Sequence, residues 1–144
     1  MKTTEPQSAS ITSTYPLSPM QQGMLFSWVS DPSSGKDIEQ IICTLFERVN
    51  CSLLQEAWDR VVNRHSVFKT AFRWEKLPEP MQDVYRDAKL PFVELDLTKL
   101  SSQEKEREMA RYLVSDRQLG FDLATPTNTR VMVARLADDH FKCV

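Results

Sequence analysis

The sequence predicts a mixed α/β sandwich in which helices cover a mixed sheet, and three observations lead to this prediction. Segments with apolar residues at helical spacing are separated by segments that are β-branched or alternate between apolar and polar residues. The chain has 144 residues, enough to bury roughly 70% of the surface that the unfolded chain exposes. Its contents of 41% hydrophobic and 26% charged residues are typical of a globular protein that folds.

The composition excludes several kinds of partner and site. The net charge is −2 and charges of both signs are interspersed, so neither nucleic acid nor an anionic membrane is expected as a partner. The apolar runs are far shorter than the roughly 20 residues of a membrane span, and we expect a cytoplasmic protein. Cys43, Cys51 and Cys143 are widely spaced beside only two histidines, which indicates neither a disulfide framework nor a metal site.

The first fourteen residues are rich in Ser and Thr without an apolar period, and we expect a flexible leader over 1–14 and a folded unit over 15–144. A helix is predicted to start at Ser18, because Pro19 and Gln21 complete a capping box with proline at the first helical position. One face of this helix carries an apolar stripe, which we interpret as core rather than as a lipid pocket. Its members are Met20, Met24, Leu25 and Trp28.

The next segment, 38–49, is apolar and β-branched without a clear period, which favours a strand buried on both faces. A second helix follows, for which Ser52 and Gln55 form a predicted capping box. Its inward face repeats at helical spacing. The residues of that face are Leu54, Trp58, Val61, Val62 and His65.

The pattern then changes to a period of two over 68–74, which predicts a half-buried strand. Two further short strands are predicted over 81–86 and 92–97. Ser101 and Glu104 form a third capping box, opening a charged helix with Met109, Tyr112 and Leu113 facing inward.

Gly120 is placed to end that helix. The apolar, β-branched stretch 129–136 predicts the next strand, and Asp138 and Asp139 form a plausible hairpin turn. A last strand is predicted over 140–144. We find no internal repeat and no low-complexity segment.

Two stretches of this sequence resemble core motifs of nonribosomal peptide synthetase condensation domains. Residues 17–26, Leu-Ser-Pro-Met-Gln-Gln-Gly-Met-Leu-Phe, resemble the first motif, and residues 64–72, Arg-His-Ser-Val-Phe-Lys-Thr-Ala-Phe, resemble the second. A looser third stretch, 121–136, contains Phe-Asp-Leu followed by Pro126 and Arg130. The resemblance covers nearly all of 15–144, and two motifs in order at the family's usual separation are specific.

The resemblance implies a fold like chloramphenicol acetyltransferase, in which two similar lobes form a V around an active-site tunnel. This chain is expected to be most of the N-terminal lobe. The family's catalytic histidine belongs to a His-His-x-x-x-Asp-Gly motif, which is expected beyond Val144, so no catalytic residue is assigned within the chain. The implied reaction joins a donor acyl or peptidyl thioester to the amine of an acceptor aminoacyl thioester.

The resemblance also implies partners and site residues. Both substrates are expected on the phosphopantetheine arms of peptidyl or acyl carrier proteins, with the donor delivered in trans, and the chain binds no cofactor directly. Arg64 and His65 are implied as support for the active-site region, and Gln21 and Gln22 as possible lining of the donor tunnel. Capping accounts for Gln21 without a substrate, a structural position at a helix end accounts for His65, and a plain surface position accounts for Arg64.

The sequence departs from the family pattern at Ser66, where an acidic residue is frequent, and at Lys69, which replaces a common arginine. A lysine does not reproduce the two parallel hydrogen bonds of an arginine. A ligand role for His140 is disfavoured, because it is a single histidine beside a predicted turn.

Other functions stay open at this point. They are an epimerisation or heterocyclisation domain of the same fold, and a non-catalytic module that docks or scaffolds carrier proteins. The isolated chain is expected to be inactive. It is also expected to self-associate, most simply as a dimer, through an unpaired sheet edge and an apolar face.

Overall fold

The structure, a computed structural model, describes residues 11–31, 35 and 37–144. Three α-helices lie in this part of the chain: α1 over Pro19–Ser30, α2 over Cys51–Arg64 and α3 over Ser102–Leu119. The strands are β1 Ile11–Pro16, β2 Cys43–Leu45, β3 Thr70–Arg73, β4 Met81–Tyr85, β5 Phe92–Asp96, β6 Val131–Ala137 and β7 His140–Cys143. A single 3-10 turn, Ser66–Lys69, joins α2 to β3.

The described strands form two sheets. The three-stranded sheet has the order β1-β4-β3 and is antiparallel throughout. The four-stranded sheet has the order β2-β7-β6-β5, in which only the β5–β6 pair is parallel. Helix α3 is the crossover between those two parallel strands. The mixed α/β prediction is therefore confirmed.

The four-stranded sheet has an apolar core on each face. On one face, Val131 and Val133 of β6 pack with Val62 of α2. On the other, Met132 and Ala134 pack with Met109 of α3. Because alternate residues of β6 enter opposite clusters, this strand is buried between two helices.

Local capping explains where the helices begin and end. Both the Ser18–Gln21 and Ser101–Glu104 capping boxes are present, and Gly120 ends α3 at a φ of 61° that favours glycine. The predicted Ser52 cap is wrong. Helix α2 begins before Ser52, since the Asn50 side chain accepts a hydrogen bond from the Leu53 backbone at 3.1 Å.

The predicted leader extends too far along the chain. Strand β1 begins at Ile11, and its pairing with β4 is reinforced by the side chains of Thr12, bonded to the Val84 carbonyl, and Thr14, bonded to Asp83. The rest of the predicted leader, residues 1–10, lies outside the described residues.

The strand predicted over 38–49 is also shorter in the structure, where only Cys43–Leu45 is extended and paired. The preceding residues are bonded to helix α3 instead. Arg117 donates to the Ile38 carbonyl, and Gln40 donates to the Leu113 carbonyl and to Asp116. Ile38 and Gln40 are thus hydrogen-bonded to helix α3 rather than to a neighbouring strand.

Two predictions about apolar side chains need correction. In α1, Met20 and Met24 are exposed and Leu25 is the buried residue. Met24 borders an open cavity rather than a filled core, and Met20 lies outside the wall of that cavity. In the segment predicted as a strand over 68–74, Phe68 lies in the 3-10 turn and Trp74 follows the strand.

The last predicted strand is an interior strand of its sheet. It is present as β7, which lies between β2 and β6 and is paired on both sides. The predicted hairpin turn at Asp138 and Asp139 is present between β6 and β7. Among the strands that the structure describes, β2 and β5 are the outermost in this sheet.

Candidate functional site

A cavity of about 680 Å³ lies where α1, the segment 37–41, the C-terminal half of α3 and the ends of β6 and β7 converge. Its wall is predominantly apolar and rich in aromatic rings, a composition common to sites for small organic ligands. The aromatic lining residues are Trp28, Trp58, Phe68, Phe72, Tyr112 and Phe121. Three of these rings make edge-to-face contacts that fix their positions. The ring centroids are 5.6 Å apart for Trp28–Trp74 and 6.4 Å apart for Trp58–Phe68.

Gln21 reaches this cavity from the first turn of α1. Its amide exchanges hydrogen bonds with the Gln82 amide at 3.1 and 3.2 Å, and its oxygen also accepts from the Ser18 backbone at 2.9 Å. Gln82 in turn donates to the Pro16 carbonyl. The Gln21 side chain therefore joins α1 to β4 while forming part of the wall.

Gln22, the second residue expected to line a tunnel, is not among the residues of the cavity wall. Its amide nitrogen donates to the Leu17 carbonyl at 3.2 Å, on the exposed side of α1. The structure thus brings Gln21 to the cavity and leaves Gln22 away from it.

A buried ion pair closes one end of the cavity. The guanidinium of Arg130 contacts the Asp116 carboxylate, and their side chains are only 16% and 9% exposed. Arg130 also donates to the carbonyls of Asp116 and Gly120, and its charge lies 4.3 Å above the Phe121 ring. With this many partners the pair fixes the end of α3 against the loop that follows it.

The Asp116 carboxylate also binds the segment 37–41, which forms another part of the cavity wall. Gln40 donates to Asp116 at 2.7 Å, and Arg117 donates to the Gln40 side-chain oxygen at 3.2 Å. Burial raises the pKa of the nearby Tyr112 phenol, and the Asp116 carboxylate raises it further. Tyr112 is therefore a neutral phenol in this wall at neutral pH.

The loop before β6 contributes an unusual polar group. Thr127 is a β-branched residue at a φ of 78°, a strained conformation of the kind that clusters at functional sites. Within the described part of the chain, Thr127 Oγ1 and Asn128 Oδ1 are buried without a hydrogen-bond partner. Asn128 lines the cavity and its amide nitrogen donates to the Thr70 carbonyl. Its oxygen is a buried acceptor in the cavity wall that the described residues leave without a partner.

Arg64 and His65 lie at the exposed end of α2 and do not line the cavity. The His65 backbone nitrogen caps the helix by donating to the Val61 carbonyl, and the His65 carbonyl accepts from Phe68. The imidazole meets the Phe68 ring edge-to-face at 6.5 Å. His65 is thus connected to the cavity through Phe68, which forms part of its wall.

His140 is remote from the cavity wall and stacks on Phe46 with 4.9 Å between ring centroids. Lys69, one of the departures from the family pattern, donates to the carbonyls of Asn63 and Arg86. The described residues contain no group of His, Cys, Asp and Glu side chains suited to hold a metal ion. None of the helices found over the described ranges is long and apolar enough to span a membrane.

Sequence reasoning missed Gln40, Asp116 and Asn128. Asp116 belongs to a helix rich in charge, where one carboxylate does not stand out from the others, and its burial depends on Arg130, fourteen residues away. Arg130 itself was visible in the third stretch of the resemblance. For Gln40 and Asn128 the sequence carries no local signal.

Three kinds of comparison with known proteins agree. The family model for the condensation domain matches residues 11–144. Bacitracin synthase 1 of Bacillus licheniformis is 35% identical over 130 residues, and bacitracin synthase 3 of the same organism is 36% identical over 130 residues, which in both cases is 90% of this chain. The chain spans 2% of the length of each of these relatives.

Among solved structures, the first condensation domain of the calcium-dependent antibiotic synthetase, in complex with a substrate analogue, is similar with a TM-score of 0.81. The similarity covers 93% of this chain and 33% of that one, at 14% sequence identity. At this identity the likeness establishes the fold.

Proposed function

The chain belongs to the condensation-domain family of nonribosomal peptide synthetases, and we propose that its parent protein joins a donor acyl or peptidyl thioester to an acceptor aminoacyl thioester. The amine of the acceptor attacks the donor carbonyl, an amide forms, and the donor thiol leaves. The observation that carries this proposal is the family match over residues 11–144. Both substrates arrive on phosphopantetheine arms of carrier proteins.

The cavity is the part of this lobe that we propose to hold a thioester-bound substrate. Its volume of about 680 Å³ lies within the roughly 300–1,000 Å³ of small-molecule sites, and its aromatic walls suit an extended acyl chain. In this proposal the wall shifts when substrate enters and exposes the buried, unpartnered Asn128 Oδ1, which then accepts an N–H from an amide of the bound substrate or of the phosphopantetheine arm. Holding two reactants in line can supply roughly 7 to 11 kcal/mol of the barrier, so positioning is a sufficient role for this wall.

Arg64 and His65 support the cavity from outside in this proposal. Both residues end α2, and the 3-10 turn that begins after His65 carries Phe68 into the wall. The 144 residues contain two histidines, His65 and His140, and no His-His-x-x-x-Asp-Gly motif. We therefore expect the chain by itself to form no peptide product.

The test is an intact-mass assay with donor-loaded and acceptor-loaded carrier proteins on separate chains. It compares this chain with a longer one that continues through both lobes. Transfer by the longer chain alone supports the amide-forming function and donor delivery in trans. Product from the 144-residue chain, or none from the longer chain with fully loaded carriers that bind it, contradicts the proposal and favours a carrier-docking scaffold. An inverted stereocentre without a new amide bond would indicate an epimerisation domain, and a ring closed by loss of water a heterocyclisation domain.

The role of the cavity is tested in the longer chain by Asn128→Ala, with Gln22→Ala as the matched control outside the wall. Loss of one buried hydrogen bond to the substrate is expected to lower kcat/KM about tenfold, because that bond contributes roughly 1 to 2 kcal/mol. Gln22→Ala is expected to leave kcat/KM within about twofold, since its side chain does not face the cavity. Equal values for both variants, at unchanged melting temperature, would remove Asn128 from the site.

Self-association of the isolated chain is a further part of the proposal. Strands β2 and β5 are the outermost described strands of the four-stranded sheet, and Ile41 and Phe46 beside β2 are more than three-quarters exposed. Sedimentation velocity over a range of concentrations is expected to show a dimer that dissociates on dilution. A monomer at every concentration would contradict it.

A further inference from the structure

Cys43 and Cys143 face each other across two strands, although a hundred positions separate them in the sequence. Strands β2 and β7 pair antiparallel with Cys43 directly opposite Cys143. Opposite residues of an antiparallel pair point to the same face of the sheet. Both side chains line the cavity described above, which agrees with this placement.

The backbone hydrogen bonds indicate the distance between the two residues. Val144 and Met132 exchange both backbone hydrogen bonds at 2.9 Å, so the polar groups of Val144 point toward β6. Those of Cys143, one residue earlier, point toward β2. A directly opposed pair of this kind has its Cα atoms about 5.5 Å apart, inside the window of about 4.4–6.8 Å that disulfides occupy.

The two thiols differ in environment. Both are free, and Cys43 is exposed whereas Cys143 is half-buried. Burial raises the pKa of the Cys143 thiol, and the neighbouring Cys43 raises it further. An external reagent therefore meets Cys43 first, and Cys143 is the resolving thiol beside it.

We propose that Cys43 and Cys143 form a reversible disulfide across β2 and β7, with a low-molecular-weight disulfide such as oxidised glutathione as the oxidant. The Cys43 thiolate attacks one sulfur of the reagent and releases one glutathione thiolate. The Cys143 thiolate then attacks the Cys43 sulfur of the mixed disulfide and releases the second. Two protein thiols become one disulfide, one glutathione disulfide becomes two thiols, and the protons lost by the cysteines go to the departing thiolates.

The bond is expected to be reversible rather than permanent. Facing Cβ atoms in a sheet are about 4.5–5.5 Å apart, at or beyond the upper end of the disulfide range, so closing the bond strains the ladder. Strained and accessible disulfides are the ones most easily reduced. Oxidation would tie edge strand β2, which pairs only with β7 in its sheet, to the interior of that sheet and to the cavity wall. This inference is independent of the proposed catalytic function.

The experiment uses the purified chain at low concentration, incubated with oxidised glutathione, blocked with N-ethylmaleimide and measured as intact mass. The wild type has three thiols and, after oxidation, is expected to take up one maleimide and carry no glutathione. When the oxidised protein is first treated with excess reduced glutathione and only then blocked, it is expected to take up three maleimides. Cys51→Ser removes the third cysteine and is expected to take up none after oxidation. Peptide mapping is expected to link Cys43 to Cys143.

Two variants test the pairing. Cys43→Ser and, for the half-buried position, Cys143→Ala are both expected to lose the internal link, and Cys143→Ala is expected to retain glutathione on Cys43. A stable glutathione adduct on the wild type, a link that involves Cys51, or a disulfide between two chains would overturn the proposal. Circular dichroism of each variant confirms that the comparison is made on folded protein.

Discussion

The four-stranded sheet buries apolar side chains on both faces of its central strand, whereas the three-stranded sheet buries polar ones at its centre. In β6, Met132 is fully buried between helices and Ala134 packs beside it. In β4, the buried Gln82 and Asp83 are satisfied by partners from β1, α1 and β3. Burial of apolar side chains thus stabilises the four-stranded sheet. Hydrogen bonds between side chains of different elements stabilise the three-stranded sheet. This difference between the two sheets can be tested by making the same substitution at a buried position and at an exposed one.

The largest expected effect is on the apolar sheet. Met132→Ala removes a side chain that is 0% exposed, and the free energy of unfolding is expected to fall by about 2 to 5 kcal/mol. Met20→Ala makes the same change on α1 at a position that is 78% exposed, and is expected to alter it by no more than about 0.5 kcal/mol. Urea unfolding measures both. Equal effects would mean that β6 is not the packed centre of the chain.

The polar sheet is tested by removing one charge. The Asp83 side chain is 4% exposed, contacts Arg73 at 2.9 Å and accepts from the Thr14 hydroxyl at 2.7 Å. Asp83→Asn keeps the shape and loses the charge, and is expected to destabilise the fold by about 1 to 3 kcal/mol. Asp138→Asn breaks the exposed pair with Arg135 and is expected to cost less than about 0.5 kcal/mol. If both variants match the wild type in urea, β4 does not depend on its polar partners.

The same carboxylate makes the polar sheet sensitive to acid. Hydrogen bonding from Arg73 lowers the pKa of Asp83, and the Thr14 hydroxyl lowers it too, against the opposing effect of burial. A folded pKa below the unfolded one adds stability that is fully present above about pH 4 and is lost as the pH falls through the folded pKa. The stability difference between wild type and Asp83→Asn should therefore shrink on acidification from pH 7 toward pH 2. A difference that stays constant over this range would show that charge is not the cause.

The smallest effect concerns the helix that covers the apolar sheet. Asn50→Ala removes the cap of α2 and is expected to cost about 1 kcal/mol. Ser52→Ala, two residues later and inside the helix, is expected to change stability by a few tenths of a kcal/mol at most. Thermal unfolding of the two variants measures the difference. A larger loss of stability in Ser52→Ala than in Asn50→Ala would show that Ser52 is the cap, as the sequence pattern predicted.

Much of the apolar sheet and its helices is predictable from the sequence, because the signals are local. The capping boxes at Ser18 and Ser101, and the stop at Gly120, each involve residues within one helical turn. The apolar run of β6 matches its burial closely, whereas in β5 the alternation holds for Leu95 and Asp96 but not for Val93, which is exposed. Strand β1 was missed because its side chains are all exposed, and its pairing with β4 depends on residues about seventy positions away.

The candidate site was less predictable for the same reason. The family resemblance implied Gln21 as lining of a donor tunnel; the structure places it in the cavity wall, and its role toward a donor stays a prediction. Asp116 and Arg130 need each other to be buried, and Gln40 becomes part of the wall only when 37–41 packs on α3. A contact between two irregular segments that are distant in sequence leaves no periodic pattern of apolar residues in either segment. Arg64 and His65 remain supporting residues by proposal, since they lie outside the wall.

The pairing of β2 with β7 also has a consequence for the order in which the chain folds. Strands β5, β6 and β7 with helix α3 form a nearly continuous segment whose strand pairs are closer in sequence than the β2–β7 pair, so this unit can assemble before β2 joins it. Strand β2 precedes that unit by dozens of residues and contacts only its final strand within the sheet. During synthesis from the N-terminus, residues 43–45 must therefore wait without their partner until β7, about a hundred residues later, has emerged. The apolar residues beside β2 are the ones that a chaperone would have the longest opportunity to bind.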